Sequence, residues 1–193
     1  MPPKAKITRE MIVDAGLSIA REQGIENVNA RTVSEYLGCS TQPVMYHFSR
    51  IEEMKRAVYA KADEYHSAFI MDVGEEAPLL AIGLNYIRFA QREKHLFRLL
   101  FQTNGFAGKS VAERTEAPEL APIFEAVSGA AGIDRTQAGT VFRSLFLLAH
   151  GYASMFANNA LAYDERVIAK DLERAFNGAL HTVKGETTCR NCI

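Results

Sequence analysis

Apolar residues recur along this chain three and four positions apart and never alternate with polar ones, so the pattern predicts helices throughout and no sheet. Between Thr8 and Gln23, Met11, Ile12, Ala15, Ile19 and Ala20 mark one buried stripe. Thr8 starts that helix, and Gly24 ends it where glycine tolerates a left-handed turn. Asn29 caps a second helix carrying Val33 and Leu37, and Gly38-Cys39-Ser40 breaks it. Ser40 or Thr41 caps a third, short helix with Pro43 in its first turn, where a missing N–H is harmless. A long helix from Ile51 carries Met54, Ala57, Val58, Ala62, Tyr65, Phe69 and Met71. Pro78 opens another over Leu79 to Gln91, and an apolar burst, Leu96 to Phe101, follows Arg92-Glu93-Lys94. Residues 104–116, with glycines at 105 and 108, read as a mobile loop. Pro118 starts a helix that fades between Gly129 and Gly132. Asp134 caps one that runs to about Asn159 and is apolar nearly all round, so it is buried on more than one side. Asp164 caps the last, striped by Leu172, Ala175, Phe176, Ala179, Leu180 and Val183. The class is all-α, with about nine helices.

Two short helices separated by a tight break, from Arg31 to Phe48, outline a helix-turn-helix, whose second helix enters the major groove of DNA. Val44 and Phe48 share a face and should bury, which turns Thr41, Gln42, Met45, Tyr46 and His47 toward solvent. Gln42 can pair bidentately with adenine, Thr41 can reach a base edge or thymine methyl, and Pro43 can lie against a methyl. Asn29, Arg31, Ser40, Tyr46, His47 and Arg50 are the candidates for flanking and phosphate contacts.

With 193 residues, 48% apolar, the chain can bury a real core. Its net charge of −1 announces no nucleic-acid partner, and residues 1–60 hold eight Lys and Arg against seven Asp and Glu. DNA affinity must therefore come from locally placed cations and helix N-termini. The N-terminus lacks a signal peptide's apolar core and no run is long enough to span a bilayer, so the expected location is cytoplasmic, with no membrane partner. Three cysteines, Cys39 and the pair Cys189 and Cys192, are an odd count that argues against a disulfide framework. That last pair supplies two of a zinc site's four ligands, so no metal or other cofactor is expected. The absence of a Gly-rich phosphate loop, HExxH or Gly-x-Ser-x-Gly argues against an enzyme.

From Thr8 to Val58 the chain resembles the TetR family of bacterial transcriptional regulators. The resemblance lies in the helix-ending Gly24, the Asn29-Ala30-Arg31 start of the second helix, and Gly38, Ser40 and Tyr46-His47-Phe48 of the recognition segment. HLFRLLF (95–101) and LLAHGYASMF (147–156) look like segments of some members. The family commonly has a phosphate-contacting tyrosine where this chain has Met45, and a lysine where it has Ile51. Tyr46, His47 and Arg50 are expected to take over those contacts. The resemblance implies a homodimeric one-component regulator, a repressor by expectation, that binds palindromic operator DNA and is released by a small, largely apolar effector. It implies a DNA-binding domain over 1–50, an effector-binding and dimerisation domain over 51–185, and a flexible tail over 186–193. Tyr65, Phe69, Tyr86, Phe89, Phe97, Phe101, Phe106, Phe124, Phe142, Phe146 and His150 are candidates for the effector pocket, although helical spacing of aromatics also suits plain core. Leu147, Ser154, Met155, Phe176, Ala179, Leu180 and Val183 are candidates for the dimer interface. Two alternatives stand beside this reading: a regulator without a small ligand, controlled by a partner or redox state, and a helical enzyme or ligand-binding protein with a vestigial helix-turn-helix.

Overall fold

A computed structural model describes residues 7–74, 78–103 and 118–185. Among these there are nine α-helices, two short 3₁₀ turns and no strand. The candidate loop at 104–116, Phe106, and the tail with Cys189 and Cys192 lie outside the described residues. No described helix is long and apolar enough to cross a membrane. By backbone contacts the chain divides into two units, Met1–Ala68 with Glu93–Gly105, and Phe69–Arg92 with Phe106–Ile193.

The first unit contains α1 (Arg9–Gln23), α2 (Ala30–Tyr36), α3 (Thr41–His47), most of α4 (Ile51–Met71) and α6 (Lys94–Phe101). Local chemistry sets the helix limits. Thr8 Oγ1 accepts the Met11 N–H at 3.2 Å, and Gly24, with φ +94°, closes α1. Ile12, Ile19 and Ala20 of α1, Val33 of α2, Val44 and Phe48 around α3, and Met54 and Val58 of α4 form a buried core. α1 and α4 come close at Gly16, where an added Cβ would lie 2.6 Å from Val58 Cγ2. The burst Leu96 to Phe101 packs on α1 and groups with this unit, so the unit that holds the helix-turn-helix extends well past residue 50.

The second unit is built from α5 (Pro78–Arg92), α7 (Ala121–Ala131), α8 (Arg135–Asn158) and α9 (Glu165–Val183). Asp134 and Gln137 form a reciprocal capping box at the start of α8, and Asp164 caps α9 through the Arg166 and Val167 N–H groups. α8 packs against α5, α7 and α9. Burial on those sides leaves one open stripe at helical spacing, Thr140, Ser144, Leu147, Gly151 and Met155. Phe124, Val127, Ala138 and Val141 make a cluster on which Phe142, Phe176, Ala179 and Val183 lean. Polar ties hold the helices in register: Gln137 Nε2 donates to the Val183 carbonyl at 2.8 Å, and the Tyr152 hydroxyl donates to Asp171 at 2.6 Å.

Candidate nucleic-acid interface

The start of α2 is fixed by its own side chains. Asn29 Oδ1 accepts the N–H groups of Arg31 and Thr32 at 3.0 and 3.1 Å, and Thr32 Oγ1 accepts the Asn29 N–H at 3.1 Å. The Asn29 amide also donates to the Asn27 carbonyl at 3.3 Å, so this side chain is engaged in the cap. Thr32, which the sequence pattern did not single out, completes the box. Arg31 pairs with Glu35 one turn on at 2.8 Å, and the carboxylate's hydrogen bond holds the guanidinium above its ordinary pKa. Both side chains are largely exposed, and such a pair yields readily to a stronger anion.

Gly38, with φ +64°, makes the break after α2 in the left-handed region that glycine favours. The Cys39 N–H then donates back to the Ser34 carbonyl at 2.9 Å. Ser40 is extended at the N-cap of α3, with no capping bond from its hydroxyl. Val44 and Phe48 anchor the inner face of α3, and Arg9 lies over the Phe48 ring with its guanidinium carbon 4.6 Å from the centroid. Anchoring one face turns the opposite one outward: Thr41 and Gln42 are exposed, Pro43 half-buried, Met45 51% and Tyr46 83% exposed. The His47 ring meets Tyr46 edge-on at 5.2 Å, while its Nε2–H donates to the Ile7 carbonyl at 3.0 Å. His47 is thereby tied to the chain just before α1 rather than presented freely.

Beside α3 runs a groove of about 540 Å³, lined by Asn29, Ala30, Arg31, Val44, Met45, Phe48, Arg50, Ile51 and Met54. It brings Asn29, Arg31 and Arg50 to one place. Met45 and Ile51, where TetR proteins commonly carry tyrosine and lysine, make part of its apolar wall. Sequence reasoning recognised the substitutions but not the groove they line, because its walls come from three helices.

The aromatic candidates fall into separate sets. Tyr65, Phe97 and Phe101 belong to the first unit, where Phe97 is fully buried 5.0 Å from the Phe101 ring and the buried His66 sits edge-on to Phe101 at 4.9 Å. In the second unit Phe69 meets the buried Phe89 edge-on at 5.4 Å. Phe124, Phe142, Phe146 and His150 form a ladder at 5.4, 6.0 and 5.6 Å between successive rings. Tyr86 closes its end by sharing a 2.9 Å hydrogen bond with His150 Nδ1. Burial lowers the His150 pKa from the ordinary histidine value, because the charged ring loses its hydration there. Asn85 donates to the Asp72 carbonyl at 2.8 Å beyond the end of α4.

Of the interface candidates, Leu147 and Met155 are about half exposed, at 49% and 52%, and Val167, which the sequence pattern passed over, is comparably so. Ser154 and Leu180 are half-buried, whereas Phe176, Ala179 and Val183 already lean on the cluster within this unit. Comparison with protein families matches residues 79–183, α5 to the end of α9, to the family described as tetracyclin repressor-like, C-terminal domain. A search of curated proteins found no match.

Proposed function

Because the chain belongs to the tetracycline-repressor-like (TetR) family of transcriptional regulators, we propose that it binds palindromic operator DNA as a homodimer and represses transcription until a small, largely apolar effector releases it. The observation that carries the reading is α3, a short helix anchored by Val44 and Phe48 that turns Thr41, Gln42 and Tyr46 to solvent. Thr41 and Gln42 read base edges, with Pro43 against a methyl. Ser40, Tyr46, Arg31 and Arg50 hold phosphates, Arg31 by exchanging Glu35 for the DNA backbone, and the groove takes the deoxyribose beside them. Asn29 serves by presenting the α2 N-terminus, and His47 by holding its edge. One short helix reads few base pairs, so two copies about a helical turn apart are needed, and the open stripe of α8 with Leu147 and Met155 supplies a self-complementary face.

The effector reading rests on the ladder of Phe142, Phe146 and His150 with Tyr86: apolar faces and one polar end suit a largely apolar molecule. The effector biases α4 between two arrangements and so changes the spacing of the recognition helices. Binding to a duplex selected from a random-sequence pool tests the DNA reading, with affinity falling steeply as salt rises. Gln42→Ala should relax base preference, whereas Tyr46→Ala should weaken binding to all duplexes alike. Selection that enriches no duplex at low salt would overturn the proposal.

A further inference from the structure

The groove beside α3 lies wholly within the first unit, and its body and its charges differ in character. Buried Val44, Phe48 and Met54 make its base, while exposed Met45 and half-buried Ile51 add apolar walls from α3 and the first turn of α4. Asn29 adds little polarity, because its side-chain oxygen and amide are engaged in the α2 cap. The charged lining is of one sign: Arg31 and Arg50, with no carboxylate. Arg50 is exposed and makes no ion pair among the described residues, whereas Arg31 is held by Glu35 at 2.8 Å. At about 540 Å³ the space lies within the range of small-molecule pockets, about 300–1,000 Å³.

An apolar recess beside unopposed cations selects a guest that joins apolar surface to an anion. Residues 1–6 do not fit that description, since they bring Lys4 and Lys6 and no acidic side chain. The shape of the guest follows from the walls. Phe48 is the one ring in the lining, and it is buried with the Arg9 guanidinium over it, so no open aromatic face is offered for stacking. The unbranched thioethers of Met45 and Met54 adjust instead to a flexible chain. We propose that this groove is a ligand site for an amphipathic monocarboxylate with an unbranched alkyl tail. The carboxylate sits at Arg50, and at Arg31 as it exchanges Glu35, while the tail lies along Met45 and Ile51 over the base. A nucleotide backbone unit likewise presents an anion beside a less polar sugar, so the groove cannot hold both. Exclusion of operator DNA by direct competition within the head rests on the regulator reading above, whereas the binding itself does not. It requires no change in the second unit.

The test follows the methyl NMR signals of the full chain, without DNA, as decanoate is added below its micelle-forming concentration. The Met45 and Ile51 methyl signals should shift and saturate, and affinity should rise about two- to fourfold per added methylene along hexanoate, octanoate and decanoate. Decanol and decyltrimethylammonium should bind at least about fivefold more weakly than decanoate, because neither can accept the charge-assisted hydrogen bonds of a guanidinium as an anion does. Arg50→Gln should weaken decanoate about fivefold, and Met45→Glu, which sets a carboxylate in the wall, about tenfold; both side chains are exposed, and circular dichroism checks that the helices are retained. Shifts confined to methyl groups of the second unit, equal binding of the cation, or undiminished affinity in either variant would overturn the proposal. Duplex binding is measured separately. A parent chain that binds no selected duplex refutes the regulator reading and leaves the site standing, whereas a duplex-bound chain that still takes decanoate in the groove with full affinity refutes the competition.

Discussion

Gly16 sits in the middle of α1, where alanine would ordinarily stabilise a helix by about 1 kcal/mol. The packing reverses that expectation. A Cβ at this position would meet Val58 Cγ2 at 2.6 Å and Val28 Cγ1 at 3.5 Å. Val58 is fully buried on α4 and β-branched, so its χ1 is stiff and the methyl has nowhere to swing. Overpacking of this kind costs about 1–3 kcal/mol, which exceeds the propensity gain for all but the mildest case. Gly16→Ala should therefore destabilise by up to about 2 kcal/mol, lowering Tm by up to roughly 8 °C for a chain of this length. Val58→Ala alone removes two buried methyl groups, about 2 kcal/mol. In the double variant the new methyl occupies space that Val58 vacates, so the combined loss should fall short of the sum by about 0.5–2 kcal/mol. Thermal and urea unfolding of the three variants, followed by circular dichroism at 222 nm, measures all three terms. A Gly16→Ala chain that melts above the parent would mean that α1 and α4 separate at little expense, and the close-approach argument would be wrong.

Three further outcomes follow from the same structure. Asn29→Ala removes the α2 cap and should lower stability by about 1 kcal/mol, with Thr32→Ala adding less on top of it than alone, since each serves the same box; additive losses in urea unfolding would contradict this. Met155→Glu places a charge on the open stripe of α8 and should shift sedimentation from dimer to monomer while the helical spectrum is retained; an unchanged dimer would move the interface elsewhere. Burial depresses the His150 pKa, so the unfolded chain takes up the proton first: its contribution is intact above the unfolded value of about 6.5 and is lost as pH falls from there toward the folded value. The difference in Tm between the parent and His150→Gln should accordingly change as pH falls below about 6.5, and parallel Tm profiles would refute the assignment.

What the sequence determined by itself is whatever depends on residues close together in the chain. Thr8, Asn29, Asp134 and Asp164 cap their helices because a cap needs a side chain and an N–H two or three positions away. Gly24, Gly38 and Gly132 sit at breaks because their positive φ is a local demand. The 3.6-residue period fixed the outward face of α3, with Val44 and Phe48 inside and Gln42 and Tyr46 outside. Periodicity says which face is buried but not against what, and there tertiary structure decided. It packed the Leu96 to Phe101 burst on α1, divided the candidate aromatics between two units, and turned Phe176, Ala179 and Val183 partly into core. It also tied His47 to Ile7 and joined Arg21 to Glu93, 72 residues apart. A pairing at that separation leaves no periodic trace in the chain, because it is set by where two helices meet rather than by the spacing of residues along either one.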